Sequence, residues 1–416
     1  MNLCYAWVLA LAGACGVVPW AHATEPLRLQ EAVSRALGAN PALAAEAAQL
    51  DAVRARAERE GLAPQYFVTG ELENVGGTGS LSGVNSAEST LRIGRLIELG
   101  GKRAARQALG AAEIDQQQTA ADATRIELTS RTADRFIEVA VDQQRLDFAN
   151  ERVRQAERTR REVAGWVSAA RNPESDLRAA EIVVANAELD REHAEHELSS
   201  ARTTLAATWG DTIPDFDTVA ADLTDLPEVE PLDTLLARLP NTIDQQAFSR
   251  EARLAEARRR IAEAARKPDL NFNVGVRRLE GPSDQGLVMS VSVPLGSRTR
   301  AGYSIAEADA QLAAIEARRK AEQFERHQLV FEKYQELGHA RTEVESLRGR
   351  VVPKAEQALA FTRRGFEAGR FSFLSLSQAQ TTLFELRERL VEAYARYHTL
   401  LVELDRLTAT TQDTFP

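Results

Sequence analysis

The chain has 416 residues, 44% of them hydrophobic, which is long enough for two or three ordinary domains and apolar enough to bury a core. Its 61 acidic residues outnumber 51 Lys and Arg, giving a formal charge of −10 and a pI near 5.4. That balance excludes a nucleic-acid partner, because phosphate binding needs a net basic face and no Lys/Arg block supplies one.

The first element is the apolar run AWVLALAGACGVV, followed by Ala21-His22-Ala23. An A-x-A site after such a run marks 1–23 as an export signal, although its amino-terminal region lacks Lys and Arg. Leu11-Ala12-Gly13-Ala14-Cys15 offers a second reading, a lipoprotein-type site with an acylated Cys15, in which Leu11 stands one place too far from the cysteine. Both cysteines, Cys4 and Cys15, fall in this stretch. The chain after Ala23 therefore offers no disulfide and no thiolate metal site. No other apolar run reaches the roughly 18 residues of a membrane helix.

Residues 29–59 read as helix, with Asn40-Pro41 as a break near its start. Then the hydrophobic period changes. YFVTGELEN (66–74) sets Val68, Gly70 and Leu72 against Thr69, Glu71 and Glu73. A Gly/Ser-rich loop follows, and TLRIGRLIEL (90–99) places Leu91, Ile93 and Ile97 on one side. The pattern predicts a β-hairpin with a long loop. Leu99-Gly100-Gly101-Lys102-Arg103 then launches a helix with no strong breaker until about Gly165, a rod of roughly 90–100 Å. Such a rod is several times the globular mean and belongs to no compact globule. SAARNP (168–173) reverses the chain into a second long helix over 174–207, and 209–231 is an acidic, Pro-punctuated connector.

The plan then repeats. A lead-in helix is predicted over 232–266, strands at 270–279 and 287–295, a third long helix to about 366, a turn at Ala368-Gly369-Arg370-Phe371, and a fourth helix to about 407. Pro268 stands 204 residues after Pro64, and Leu295-Gly296-Ser297-Arg298 stands 196 residues after Leu99-Gly100-Gly101-Lys102. The chain is an internal duplication, with repeats at 24–208 and 232–410 and a tail at 411–416.

In the second hairpin Phe272, Val274 and Val276 face away from Asn271, Asn273 and Arg277. Met289, Val291 and Val293 likewise face away from Ser290 and Ser292. Strands of this length with one apolar and one wet face suit a transmembrane barrel, and equally a soluble sheet packed on a core. Four strands cannot close a barrel, and an open edge in lipid leaves peptide groups unpaired at several kcal/mol each. A membrane reading therefore requires association, and three chains supply twelve strands.

The segments LRLQEAVSRALGANPAL, ELENVGG, LIELGGKRAAR, WVSAARNPESDLRAAE and GFEAGRFSFLSLSQAQ together resemble the TolC-like outer-membrane efflux protein family, in the right order twice. The LIELGGKR junction and the ELENVGG strand end are most similar to CzcC-like channels for heavy-metal cations. The resemblance implies a mainly α fold with a small β-barrel contribution, namely four long coiled-coil-like helices and four transmembrane strands per protomer. It further implies a homotrimer in the bacterial outer membrane, with a twelve-stranded barrel and a periplasmic helical tunnel. The tunnel would dock on a periplasmic adaptor (membrane fusion protein) and an inner-membrane proton-driven RND transporter. Lipid would then face Val68, Leu72, Leu91, Ile93, Phe272, Val274, Val276, Met289, Val291 and Val293. Adaptor contact and gating would fall to the tips: Arg171, Asn172, Pro173 and Asp176 in the first, Arg364, Gly369, Arg370, Phe371 and Ser372 in the second, with Arg363 and Glu367 as further charges. Ser375 departs from the pattern, since the family usually carries an acidic residue there, and the loop at Asn172-Pro173 is longer than usual.

The alternatives are a drug-efflux or type I secretion duct of the same fold, and a soluble periplasmic coiled-coil scaffold or adaptor. The sequence suggests no enzyme and no cofactor, since no Ser/His/Asp or Cys/His nucleophile set is recognisable. Two imidazoles of Glu192-His193-Ala194-Glu195-His196 share a helix face as a weak zinc motif, or as a solvated surface, which lacks a third ligand. Gly77–Gly83 has the wrong spacing for a phosphate loop and reads as hairpin loop. The acidic surplus either draws cations into a lumen or simply solvates the helices.

Overall fold

The computed structural model describes residues 25–410, so the export signal with its two cysteines and the tail at 411–416 lie outside the described residues. Helix α1 spans Leu29–Ala39 and α2 spans Pro41–Glu60. Asn40 makes the break between them, its side chain accepting from the Ala42 amide at 2.7 Å. Pro41 takes the first helical position, where a missing N–H leaves nothing unsatisfied. Strands β1 (Tyr66–Glu73) and β2 (Glu88–Ile97) follow, then α3 (Lys102–Ser168) and α4 (Glu174–Ala206). At 67 residues α3 is about 100 Å long. The second repeat contains α5 (Leu232–Arg238), α6 (Ile243–Ala264), β3 (Leu270–Leu279), β4 (Asp284–Ser292), α7 (Ser297–Ser346), α8 (Val352–Glu367) and α9 (Phe373–Thr408).

Four sequence expectations are corrected. The lead-in helix of the second repeat is two helices, separated by a 3-10 turn at Leu239–Asn241 where Pro240 removes a donor. The third long helix is interrupted by a π-helical segment, Leu347–Val351, immediately before Pro353. Strand β2 occupies 88–97 rather than 90–99, because the Leu99 amide donates to the Asp269 carboxylate at 3.2 Å and leaves the ladder. Strand β4 occupies 284–292 rather than 287–295. The ladder runs on to Leu279↔Asp284 at the tight turn, and Pro294, without an N–H, cannot extend it at the other end.

The four strands form one antiparallel sheet in the order β1-β2-β3-β4. Beside it α2, α6 and the first parts of α3 and α7 pack together; farther along, α3 pairs with α4 and α9, and α8 with α9. The main core lies midway. Leu27 bridges to Val219 of the connector, and Phe136, Val139, Leu205, Trp209, Phe216 and Tyr394 are buried there. The acidic connector is thus a strap over the helices, with Phe216, Val219 and Leu223 inward and Ile213 exposed. A second core joins α5, α7 and α9 through Leu235, Val330, Leu337, Tyr397 and Leu404, each large side chain contributing about 1.5–3 kcal/mol on burial. Among the described residues no helix is long and apolar enough to cross a membrane.

Candidate functional site: a two-faced sheet and a paired helical tip

Strand register sorts the sheet into two unlike faces. Val68, Ile93, Val274 and Met289 stand in one row across all four strands; Gly70, Leu91, Val276 and Leu287 stand in the next, and Arg95, Phe272 and Val291 in the row on the other side. Leu72 continues this face along β1, and Val293 follows just beyond the β4 ladder. No core covers it. Val68, Leu72, Leu91 and Met289 are each 63–68% exposed, far beyond what a sheet packed on its own helices would leave. Phe272 and Val274 are half-buried by their row neighbours.

The opposite face is mostly polar, with apolar exceptions that include Phe67 and Val288, and it is cross-linked. Arg277 forms ion pairs with Glu73 at 3.0 Å and Glu88 at 2.9 Å and donates to Thr90 Oγ1 at 3.0 Å. Arg92 pairs with Glu71 at 2.7 Å, and Asn273 donates to Ser290 at 3.3 Å. Alternation in the sequence announces a polar face. The ladder of charges along it becomes visible only once the β2–β3 pairing joins residues nearly 190 apart. Strands β1 and β4 form the two edges of the sheet.

The LGGKR junction roots the sheet in the helices. Gly100 and Gly101 are both left-handed, at φ 84° and 76°, and release the chain from β2 into α3. Lys102 Nζ then meets Asp269 at 2.7 Å, which fastens the first repeat to the second. Arg103 donates to the Gly61 carbonyl at 2.8 Å, and Arg106 to those of Glu60 and Leu62 at 2.6 and 3.1 Å. These are carbonyls at the end of α2 that lack helical partners. Arg106 also pairs with Glu98.

At the far end both helical reversals use the same device. After α3, Arg171 N donates to Trp166 O and Ala170 N to Val167 O; after α8, Arg370 N donates to Gly365 O and Gly369 N to Phe366 O. These paired bonds define Schellman motifs, with left-handed residues Ala170 at φ 55° and Gly369 at φ 70°. Arg171 and Arg370 are therefore equivalent, and so are Asp176 and Ser375. Asp176 accepts from Asn172 at 2.8 Å, whereas the Ser375 hydroxyl shares a hydrogen bond with Ser372 Oγ at 3.0 Å and its amide donates to the same oxygen at 3.2 Å. Pro173 and Ser372 are the N-cap residues of α4 and α9.

An aromatic cluster that sequence reasoning missed locks the two reversals together. Trp166 and Phe366 have ring centroids 4.5 Å apart, and Phe366 and Phe373 6.4 Å, over buried Val163, Ala180 and Leu376. Phe371 lies against Gly365, where a Cβ would come within 2.1 Å of its ring, and remains half exposed. Arg171 stacks on Trp166 and Arg364 on Phe361, while Glu367 and Arg370 are exposed. Ala in the left-handed region costs about 1–2 kcal/mol relative to its usual conformations, a strain Gly avoids. Ala170→Gly should therefore raise the unfolding midpoint and slow proteolysis at the first reversal, and Gly369→Ala should do the opposite; limited proteolysis of the folded protein reads both.

Elsewhere His196 stands 3.9 Å from Glu192 with both side chains exposed, and among the described residues no group of three or more His, Cys, Asp or Glu is placed to hold a metal. The Gly77–Gly83 loop contains a single 3-10 turn, Gly79–Leu81. Burial, reinforced by Glu403, pushes the Asp134 carboxyl on α3 up to about 6.

The family described as outer membrane efflux protein matches residues 32–211 and 235–410 of this chain. The cobalt-zinc-cadmium resistance protein CzcC of Cupriavidus metallidurans is 27% identical over 388 residues, covering 93% of this chain and 91% of that protein. Among solved structures, CusC superposes with a TM-score of 0.76 at 17% identity, covering 92% of each chain. The outer membrane protein VceC of Vibrio cholerae superposes with a TM-score of 0.75 at 15% identity, covering 92% of this chain and 96% of that one. At those identities the two structures speak for the fold.

Proposed function

Because the chain belongs to the outer membrane efflux protein family, passive channels of the bacterial outer membrane with a long periplasmic helical extension rather than enzymes, we propose that it is the exit duct of a tripartite pump for divalent heavy-metal cations. The observation that carries this reading is the two-faced sheet. Its apolar face is uncovered, its other face is wet and charged, and both its edges are open at the root of a helix about 100 Å long. Three copies would close those edges into a twelve-stranded barrel, with Val68, Leu72, Leu91, Ile93, Phe272, Val274, Val276, Met289, Val291 and Val293 toward lipid and the Arg277 network toward water.

The helical tip, with Arg171, Asn172, Pro173, Asp176, Arg364, Gly369, Arg370, Phe371 and Ser372, would meet a periplasmic adaptor, itself joined to an inner-membrane proton-driven RND transporter that supplies the energy. The cargo is argued from the likeness to CzcC along nearly the whole chain. Loose passage rather than tight metal ligation is what a conduit needs, since ions must leave as readily as they enter. Deleting the gene should sensitise cells to zinc, cobalt or cadmium while leaving dye and detergent tolerance unchanged. Sensitisation to dyes and detergents alone would transfer the protein to drug efflux, and loss of a secreted protein would transfer it to secretion.

A further inference from the structure

The first repeat carries a carboxyl at a position where the second carries a core valine. Leu99 and Leu295 are 196 residues apart, and the same spacing relates buried positions along the two long arms: Ala105 and Ala301, Thr119 and Ile315, Val141 and Leu337. Within that frame Asp134 on α3 is the equivalent of Val330 on α7. Val330 is wholly buried in the second core. Asp134 is half-buried, beside Thr132, Ala133 and Phe136, which are all buried.

The surroundings of Asp134 leave its charge uncompensated. Its Oδ1 is sealed from solvent and has no hydrogen-bond partner among the described residues, the arrangement that makes burial of a charged oxygen unfavourable. On α3 itself, Arg135 pairs with Glu138 at 2.7 Å and Arg131 with Glu127 at 3.6 Å. From α9, Arg406 pairs with that same Glu127 at 3.6 Å. Lys333 of α7 is held by Glu403 of α9 at 3.3 Å and by Glu336 at 3.4 Å. Each of these four cations thus already has a carboxylate partner, while Glu403 and Glu127 both oppose ionisation of Asp134.

We propose that Asp134 is a proton-operated switch in the seam where α3 of the first repeat meets α9 of the second: ionised it works against the seam, and protonated it lets the seam close. The same seam continues toward the tips, where Gln380 donates to Thr159 and Arg387 to Glu151, both at 3.1 Å. Loosening at Asp134 therefore bears on how firmly the two helical hairpins hold together. Its direction with pH is fixed by linkage. A carboxyl raised on folding from 3.8 to about 6 contributes stability that is fully present below the unfolded value and is lost as the pH rises through about 6. Carboxylates favoured in their charged form by ion pairs act in the opposite sense, so the contribution of Asp134 is read as a difference between variant and parent.

Asp134→Asn keeps the shape and removes the charge, and Asp134→Val installs the residue of the second repeat. The purified full chain in detergent is heated at a series of pH values between 4.5 and 8, with the unfolding midpoint followed by helical circular dichroism. Asp134→Asn should raise the midpoint at pH 8, by an amount that shrinks steadily below pH 6, and Asp134→Val should show the same trend. A difference from the parent that stays constant across the series would overturn the proposal, because the carboxyl would then titrate alike in the folded and unfolded chain. A midpoint lowered more at pH 8 than at pH 5 would also overturn it, by showing that the seam uses the charge.

Discussion

Val274→Arg should eliminate the folded oligomer from the outer membrane, while Ser290→Arg leaves it in place. Val274 stands between Ile93 and Met289 in the middle of the apolar face. An Arg at the bilayer midplane of a membrane barrel costs about 2–4 kcal/mol, and the proposed trimer would incur that cost three times against a total stability of about 5–15 kcal/mol for an ordinary domain. Ser290 is one residue along β4 from Met289, exposed on the wet face, where an added Arg meets water. Asn273 also points to that face but its side chain sits against Gly94, close enough that a Cβ there would lie 1.9 Å away; Ser290 is therefore the cleaner comparison. Membrane fractionation followed by gel mobility of unheated and heated samples reads the outcome. Equal tolerance of the two substitutions would mean that the apolar face does not meet lipid.

The period of the sequence foretold this two-sidedness, and physics explains where it stopped. Strand faces follow from alternation alone, since successive side chains must point to opposite sides; that Val68, Ile93, Val274 and Met289 each lie on the apolar face of their strand was therefore readable before any pairing was known. The length of α3 was readable because the sequence offers no strong breaker before about Gly165, whereas the splits at Leu239–Asn241 and Leu347–Val351 in the second repeat were not. Pairing partners were not. Arg277 looks like any polar strand residue until β3 lies beside β2, and Trp166 looks like a turn-proximal aromatic until Phe366, two hundred residues later, is stacked on it. The π segment at Leu347–Val351 had only Gly349 and Pro353 as local hints. The bounds of β4 were misplaced because the polar residues Asp284-Gln285-Gly286 read as loop, whereas the hydrogen-bond ladder, indifferent to side-chain polarity, carries them to the turn.

Gly100→Ala should be far more damaging than Gly101→Ala, although the two glycines are adjacent and share a left-handed backbone. Either alanine bears the left-handed cost of about 1–2 kcal/mol. At Gly101 that is the whole effect, because nothing lies within 4 Å of an added Cβ. At Gly100 the Cβ would come within 2.7 Å of the Ala264 carbonyl and 3.1 Å of Lys267 Cβ, a clash with backbone that a side-chain rotation cannot relieve. Overpacking of this kind adds about 1–3 kcal/mol. The clash also falls on a seam that has no slack: a few residues beyond Ala264, the Asp269 carboxylate holds both Lys102 Nζ and the Leu99 amide, and these bonds join the two repeats where the sheet enters the helices. Gly296, the equivalent in the second repeat, has φ 87° and open space around it, so Gly296→Ala should behave like Gly101→Ala. The temperature at which the oligomer dissociates in detergent should fall most for Gly100→Ala, and by similar smaller amounts for the other two. Equal losses at all three positions would mean that α6 yields to the added methyl and that backbone conformation alone fixes the need for glycine; a distinct loss at Gly100 assigns it to the close approach of the two repeats.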